Sequence, residues 1–408
     1  MDAARPTGTG EWGIADRGRG VVKPLIEHIV TEDALLALEP EWRNLESRMV
    51  KLPFVRFDWV IPWWRHLSTQ AKTVRDELFV ITFRTAEDGL LGIAPMMLTH
   101  RPNLGPLQFR QLQFFGADPN LTEVRGVAAT AENMSLIYTW LLDHLGQMPL
   151  KWNSAALTGL PAEDLELQKN INLRYATNYW GPDIVNPILL LKPTWEEFRT
   201  GLPRNVKESL RKCYNSPKRD GLSFDFEIVS DPADVESALA LFFLLHRARS
   251  RMPNTVTHLD NFVSLRSQRF LADVCARFAQ RGLLRIFQLK YKGAVIATRL
   301  GFALGDTLYL YFSGYDPNYR KYSVATTLVA ESIKYGIANG FRLLNMSTGR
   351  DVSKSRWAPF EVLYRGVEFS PQSRKDILKH RSYRALLKYL RRRPADSWIA
   401  RTFSRPAR

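Results

Sequence analysis

The sequence predicts an α/β (α+β) fold, a mixed and mostly antiparallel sheet flanked by helices, and three observations point to it. The segments "LLRIFQLKY", "AVIATRLGFAL" and "TLYLYFSGY", joined at Lys292-Gly293 and Gly305-Asp306, read as three strands with glycine turns, an antiparallel meander that begins near Leu283. Beyond them, Val329, Ile333, Gly336 and Ile337 share one face of a helix closed by Gly340, and "FRLLNMS" reads as a further strand. A strand, a loop, a helix and a strand in that order append a βαβ unit to the meander. Finally, 408 residues with 45% hydrophobic and 12% aromatic content are enough for a sizeable core and suit two domains better than one.

From the N-terminus, residues 1–22 are Gly-rich and polar with no apolar h-region, so they read as a disordered tail and not a signal peptide. "PFVRFDWVIPWWRHL" supplies Trp59, Trp63 and Trp64, whose expected role is core packing ahead of a sugar-stacking platform. "ELFVITFRTAEDGLLGIAPMML" is a strand, an Asp-Gly turn and a strand, comparable with "LKYKGAVIATRL". In the same way "FFGADPN" at 114–120 parallels "FSGYDPN" at 312–318. The echo predicts two related domains, 23–190 and 191–373; the bland alternative is that Gly, Asp, Pro and Asn are common turn residues. In the first copy "LTEVRGVAATAEN" has one arginine and no comparable helix start, which assigns donor binding to the second half and shaping of the acceptor site to the first.

The net charge of +16 sits in two segments. Residues 199–221 hold seven Lys or Arg against two acids, and residues 374–408 hold twelve against two. Such patches attract phosphate in a nucleic acid, an acidic lipid or a nucleotide-bearing cofactor. In the second segment Tyr383, Leu386, Leu387 and Leu390 fall at helical spacing up to Pro394. This basic amphipathic helix either lies on an anionic membrane with Trp398 as anchor or docks against the body of the protein. The longest apolar run, "ALALFFLL" at 238–245, is far short of the about 20 residues that span a bilayer. Cys213 and Cys275 form no CxxC pair and fit a reducing cytoplasm, and Cys213, among basic residues, reads as an ordinary thiol. No G-x-S-x-G, H-E-x-x-H or CxxC pattern occurs, and "GRDVSKS" lacks the second glycine of a phosphate-binding loop, so hydrolase and metal chemistry are set aside.

"DPNYRKYSVATTL", residues 316–328, places cations where a helix begins directly after a strand. Unpaired backbone N–H groups and the positive end of the helix dipole bind phosphate there, and Arg320 and Lys321 add charge. These residues resemble the acyl-CoA pyrophosphate loop of the GNAT acyltransferases, Arg/Gln-x-x-Gly-x-Gly/Ala. Arg320 and Ala325 match its ends, with Lys321, Tyr322 and Val324 between them, and Ser323 stands at the central glycine. The resemblance makes Phe312, Ser313, Gly314, Arg320, Lys321, Ser323, Val324, Ala325 and Thr326 the donor-binding set.

Residues from about 195 to 360 resemble more narrowly the BioF2-like acetyltransferase domain, found in cellulose-biosynthesis CelD-type acetyltransferases and related to the FemAB fold. The resemblance rests on "RNVKESLRKCYN", "LLHRAR", "YKGAVIATRL", "YLYFSGYDPNYRKYS" and "GRDVSKSRW". In the last, Gly349, Lys354 and Trp357 match Gly-x-Glu-x-Tyr-Lys-x-x-Trp, while Asp351 replaces glutamate and Ser353 replaces tyrosine; Asn345 stands where the family often has aspartate.

What the resemblance implies is a tandem of GNAT-like domains and direct attack of an amine or hydroxyl on the thioester of an acyl-CoA co-substrate, with no metal. The acceptor would be a sugar or amino sugar of extracellular polysaccharide synthesis. Such chemistry needs a base, a proton donor for the thiolate and an oxyanion partner, for which a backbone N–H of "YLYFSG" is suited. His246 is either that base or a histidine closing its helix, and Asp316 is either a second base or the residue that fixes the turn before Pro317. Tyr322 and Tyr319 are the candidate proton donors. Arg204, Asp351, Lys354 and Trp357 are the candidate acceptor-binding residues, the last two alternatively closing the sheet edge. Other readings are an aminoacyl-tRNA-dependent FemAB-like transferase, which would bring in nucleic acid, and a non-catalytic scaffold peripheral to the inner membrane.

Overall fold

The computed structural model of the protein describes residues 23–101, 103, 108–118, 120–252 and 258–391, with side chains up to residue 385. The expected disordered tail 1–22 and the segment 392–408 with Trp398 lie outside the described residues.

The meander is present as Leu284–Tyr291, Ala294–Leu304 and Thr307–Tyr315, all antiparallel. Lys292 at φ 48° and Gly293 at φ 80° form its first turn, the left-handed pair that matches the twist of adjoining strands. The helix Val324–Ala338 follows and returns the chain to Leu343–Asn345, parallel to Thr307–Tyr315. The first half repeats this plan. Arg75–Leu78, Met96–His100 and Arg110–Phe114 are antiparallel neighbours, the helix Met134–Gln147 crosses over, and Ser154–Pro161 lies parallel to Arg110–Phe114.

The two halves share one twelve-stranded sheet through an exchange of strands. Ile184–Leu190, which leaves the first half, pairs with Leu343–Asn345 of the second. Phe360–Ser370, which leaves the second half, pairs with Ser154–Pro161 of the first, and the two exchanged strands pair with each other. A second sheet of four strands includes the hairpin Val80–Thr85 and Gly89–Ala94, whose outer ends bend at Phe79 and Pro95 into the large sheet.

One hydrophobic core runs across the junction, from Trp42, Trp59 and Trp63 of the first half to Phe242, Phe270, Phe302 and Tyr309 of the second. Trp59 and Trp63 are fully buried, as core packing requires, and Trp64 stacks on Phe115. Buried Glu46 and Asp58 are paired with Arg43, Arg56 and Arg281, the last following the helix Leu265–Gln280. Burial pushes the Asp58 carboxyl up, but Arg43 and Arg281 together hold it below the usual range. Its contribution to stability is therefore present at neutral pH and is lost as pH falls through that lowered value.

The helix Arg374–Arg391 docks rather than projecting. Tyr383 stacks on Phe109 with ring centroids 4.1 Å apart, and His380 and Arg384 both reach Glu368, at 2.7 and 2.8 Å. Among the described residues no helix is long and apolar enough to cross a membrane, and no group of three or more His, Cys, Asp or Glu is arranged to hold a metal.

Candidate active site

The strand Thr307–Tyr315 is the organising element. Its parallel pairing with Leu343–Asn345 covers only Thr307, Leu308 and Tyr309, so the edge from Leu310 to Tyr315 opens away from that neighbour. Against Ala294–Leu304 the register shifts between Arg299 and Gly301, where the strand Thr307–Tyr315 carries one extra residue, a bulge that adds twist at the opening. Asp316 donates its amide to Ile296 across the ladder at 2.8 Å. Alternation along a strand then turns the amides of Ser313 and Tyr315 toward the open edge.

At the end of this strand the chain makes a 3₁₀ turn, Pro317–Tyr322, and enters the helix at Val324. Asp316 accepts the Asn318 amide at 2.9 Å, the contact that fixes the turn before Pro317. Ser323, at the position where the resembled loop carries glycine, has φ 57° and ψ 38°, the left-handed conformation. Its carbonyl takes the amides of Thr326 and Thr327, and its hydroxyl makes no capping bond. The amides of Val324 and Ala325, first in the helix, have no intrahelical acceptor. Ser323→Gly is thus expected to stabilise the protein, by about 1 kcal/mol from the relieved left-handed strain, and to leave donor affinity equal or better; a melting curve and a calorimetric titration check both.

Several expectations for this loop are corrected by the side chains. Tyr322 is buried and its hydroxyl is 2.9 Å from Asp220, so it faces away from the opening and cannot protonate a leaving thiolate there. Tyr319 packs against Phe224, Tyr291 and Tyr322 in an aromatic cluster. Lys321 pairs with Asp220 at 3.4 Å on the same outer side. Arg320 is exposed and makes no ion pair among the described residues. A cation that the sequence did not single out, Arg356, lies at the helix start with Nη2 3.3 Å from Thr326 Oγ1.

Across the opening is a group of recessed polar side chains whose centre, Glu123, sequence reasoning missed. Glu123 accepts hydrogen bonds from Tyr309 Oη and Ser347 Oγ, each at 2.5 Å. The protein surrounds it, yet it keeps solvent-accessible surface, the combination expected of a group lining a cavity. Burial raises its pKa above the usual carboxylate value, against the opposing pull of Ser347, Tyr309 and Lys354. Its loop is held rigidly. Asp118 accepts from the Leu121 and Thr122 amides and from Trp63 Nε1 at 2.7 Å, while Trp59 Nε1 reaches Thr122 Oγ1 at 3.2 Å and Tyr311 donates to the Leu121 carbonyl. Gly116, at φ 85°, permits the turn; a Cβ there would meet Thr122 Cγ2 at 2.4 Å.

Lys354 borders the same space. Its ammonium donates to the Thr348 carbonyl and lies 3.7 Å from Asp351. Asp351 caps the short helix Val352–Ser355, accepting the Ser353 amide at 2.9 Å. Trp357 is 2% exposed and belongs to the second-half core, which leaves no face for an acceptor. Arg204 is fully out in solvent, paired with Glu208 on the basic helix Arg204–Arg219.

His246 is buried beside the open edge. Its Nδ1 is 3.0 Å from the Ser313 carbonyl, Phe242, Phe262 and Phe312 wall it in, and burial lowers its pKa below 6.5. It fixes the strand edge, and Phe312 is part of its wall. Gly314 also acts through position. A Cβ there would lie 2.3 Å from the His246 amide nitrogen, so the missing side chain admits the helix Val235–Ser250 and no ligand on that face. Cys213 is buried and its pKa raised by burial, an inert thiol. A separate groove lined by Trp152, Asn153, Tyr175 and Asp376 includes none of these groups.

A meander whose third strand parts from a parallel neighbour, with a helix start at the opening, defines an acyltransferase-type fold of the GNAT class. Residues 204–355 match the family model described as "Acetyltransferase (GNAT) domain". Among solved structures, FemX is similar at 9% identity over 84% of this chain and 96% of its own, with a TM-score of 0.54. A conserved protein of unknown function from Bacteroides thetaiotaomicron VPI-5482 is similar at 10% identity over 85% and 100%, with a TM-score of 0.50. At these identities the likeness establishes a shared fold over both halves. No curated protein sequence matches the chain.

Proposed function

We propose that the protein transfers an acyl group from acyl-CoA to an amine or hydroxyl of a small-molecule acceptor. One observation carries this reading: the open edge Leu310–Tyr315 and the helix start at Val324 meet at one place, and Glu123 reaches in from the other half to Tyr309 and Ser347 beside it. The diphosphate of the donor would lie on the Val324 and Ala325 amides with Arg320 and Arg356 beside it, and the pantetheine arm would pair along the open edge. The Ser313 or Tyr315 amide would take the oxyanion as the tetrahedral carbon forms. Glu123, its pKa raised by burial, would accept the proton of the attacking amine or hydroxyl, directly or through one water. The proton for the departing thiolate would then come from solvent or from the acceptor itself, since Tyr322 is turned away. A sugar acceptor in polysaccharide synthesis is supported only by the family resemblance.

The test is calorimetry with acetyl-CoA and a longer acyl-CoA. Arg320→Ala is expected to weaken binding about tenfold or more through loss of a charge-assisted phosphate contact. Absence of binding to wild-type protein by either donor sinks the acyl-CoA reading. A second reading, an aminoacyl-tRNA donor, is favoured by the exposed cations Arg204, Arg211, Lys212, Lys218 and Arg219 on a helix packed against Val324–Ala338. It predicts binding of tRNA that falls steeply with salt. The remaining cations of residues 374–408 are proposed as a peripheral contact with anionic membrane.

A further inference from the structure

Two arginines in the same cleft have no carboxylate in ion-pair contact among the described residues; Asp351 acts on both, and Glu123 on Arg299, only from a distance. Arg249, from the helix Val235–Ser250, and Arg299, from the strand Ala294–Leu304, converge on one hydroxyl, Ser313 Oγ, at 2.8 and 3.3 Å. The other contacts of Arg249 are neutral: Nη2 lies 2.8 Å from His258 Nε2, and its guanidinium lies over the Tyr315 ring. Arg299 Nη1 is 3.3 Å from the Tyr311 carbonyl. Neither makes an ion pair with a carboxylate among the described residues, and both Nε atoms are buried without an acceptor. Like Glu123, both side chains are enclosed by protein yet keep accessible surface.

Two guanidinium groups sharing one hydroxyl repel each other and leave buried donors unmade, an arrangement that costs free energy unless an anion completes it. Packing alone does not call for it, since an apolar side chain would fill the strand position without that cost. The nearby histidine brings no compensating charge. Burial and Arg249 pull His258 down to about 4, so at neutral pH it is neutral and accepts from Arg249. The planar forks of two arginines suit a carboxylate or a phosphate, each with several acceptor lone pairs.

We infer that the acceptor carries an anionic group, a carboxylate or a phosphate, which binds between Arg249 and Arg299 while its amine or hydroxyl is presented to Glu123. The inference rests on the acyl-transfer reading for the role of the bound molecule, and on the arginine pair alone for the anion. The pair is carried by the helix Val235–Ser250 and the strand Ala294–Leu304, with Arg299 within electrostatic reach of Glu123, whereas the donor diphosphate is assigned to the start of the helix Val324–Ala338.

The experiment is a titration of the full chain, saturated with CoA to fill the donor site, with inorganic phosphate and with acetate at constant ionic strength in chloride. Saturable binding of phosphate, of acetate or of both is expected, and the preferred ion identifies the group. Arg249→Met and Arg299→Met should each weaken it about tenfold or more, while Arg320→Ala leaves it unchanged. Unliganded melting temperatures should be equal or higher in the two Met variants, because the repulsion is gone. No saturable binding of either ion, or equal binding in the Met variants, overturns the inference. If CoA itself fails to bind, the acyl-CoA reading fails instead, and the same anion titration without CoA still decides the arginine pair.

Discussion

Glu123→Gln is expected to lower the rate of acyl transfer by about 10²–10⁴-fold, the usual size of a lost general base, with donor affinity unchanged. The carboxylate is the recessed acid that joins Tyr309 and Ser347, one on each oxygen; glutamine keeps its shape and one acceptor oxygen, and its NH2 group can donate to the other hydroxyl once that hydroxyl turns. The measurement is thiol release against a panel of amine and hydroxyl acceptors, with the donor titrated separately by calorimetry.

The acid limb of the wild-type profile should lie above the ordinary glutamate range, because burial disfavours the charged form. The stability effect has the opposite sign from that of a salt-bridged acid. Between the unfolded pKa and the raised folded one, the native state binds the extra proton, so stability falls as pH rises through that window. Glu123→Gln removes this fall, and the variant should melt at the same temperature as wild type or higher at neutral pH. A variant that loses activity and also melts much lower would make Glu123 a structural residue and remove it as the base.

Gly314→Ala should damage the fold and the site together. The added Cβ would meet backbone atoms, the His246 nitrogen at 2.3 Å and the Leu245 carbonyl carbon at 2.5 Å, and backbone cannot rotate aside as a side-chain tip can. Overpacking of this kind costs about 1–3 kcal/mol and sometimes more. The helix that must yield carries His246 and Arg249, so the Ser313 edge and the arginine pair shift with it. A lowered melting temperature with lost binding of donor and anion is the expected result. Ser313→Ala, which leaves the helix seated, should melt near wild type, and comparable damage from both variants would refute the steric account.

What was readable from sequence follows from local rules. Alternation of apolar residues, the Lys292-Gly293 turn and the Gly340 stop fixed the meander and its helix, because backbone geometry at period 2 and 3.6 depends on near neighbours alone. The helix start at 320–325 was legible for the same reason, and a demand for glycine at position 323 is explained by the left-handed φ that Ser323 adopts. The side chains around it were not. Whether Tyr322 points at a ligand or at Asp220 depends on a residue 102 positions away, and the fate of Lys321 depends on the same carboxylate.

Glu123 was hidden more deeply. In "LTEVRG" it is one acid in a loop, and only the exchange of the strands Ile184–Leu190 and Phe360–Ser370 sets that loop against Tyr309 and Ser347, 186 and 224 residues further on. The convergence of Arg249 and Arg299 on Ser313 likewise joins a helix to two strands. The sequence by itself determined the elements, the turns between them and the phosphate-ready helix start, since these are short-range consequences of side-chain shape. Only the tertiary structure decided which charges face the opening, because burial and pairing are set by packing between segments that no local pattern relates.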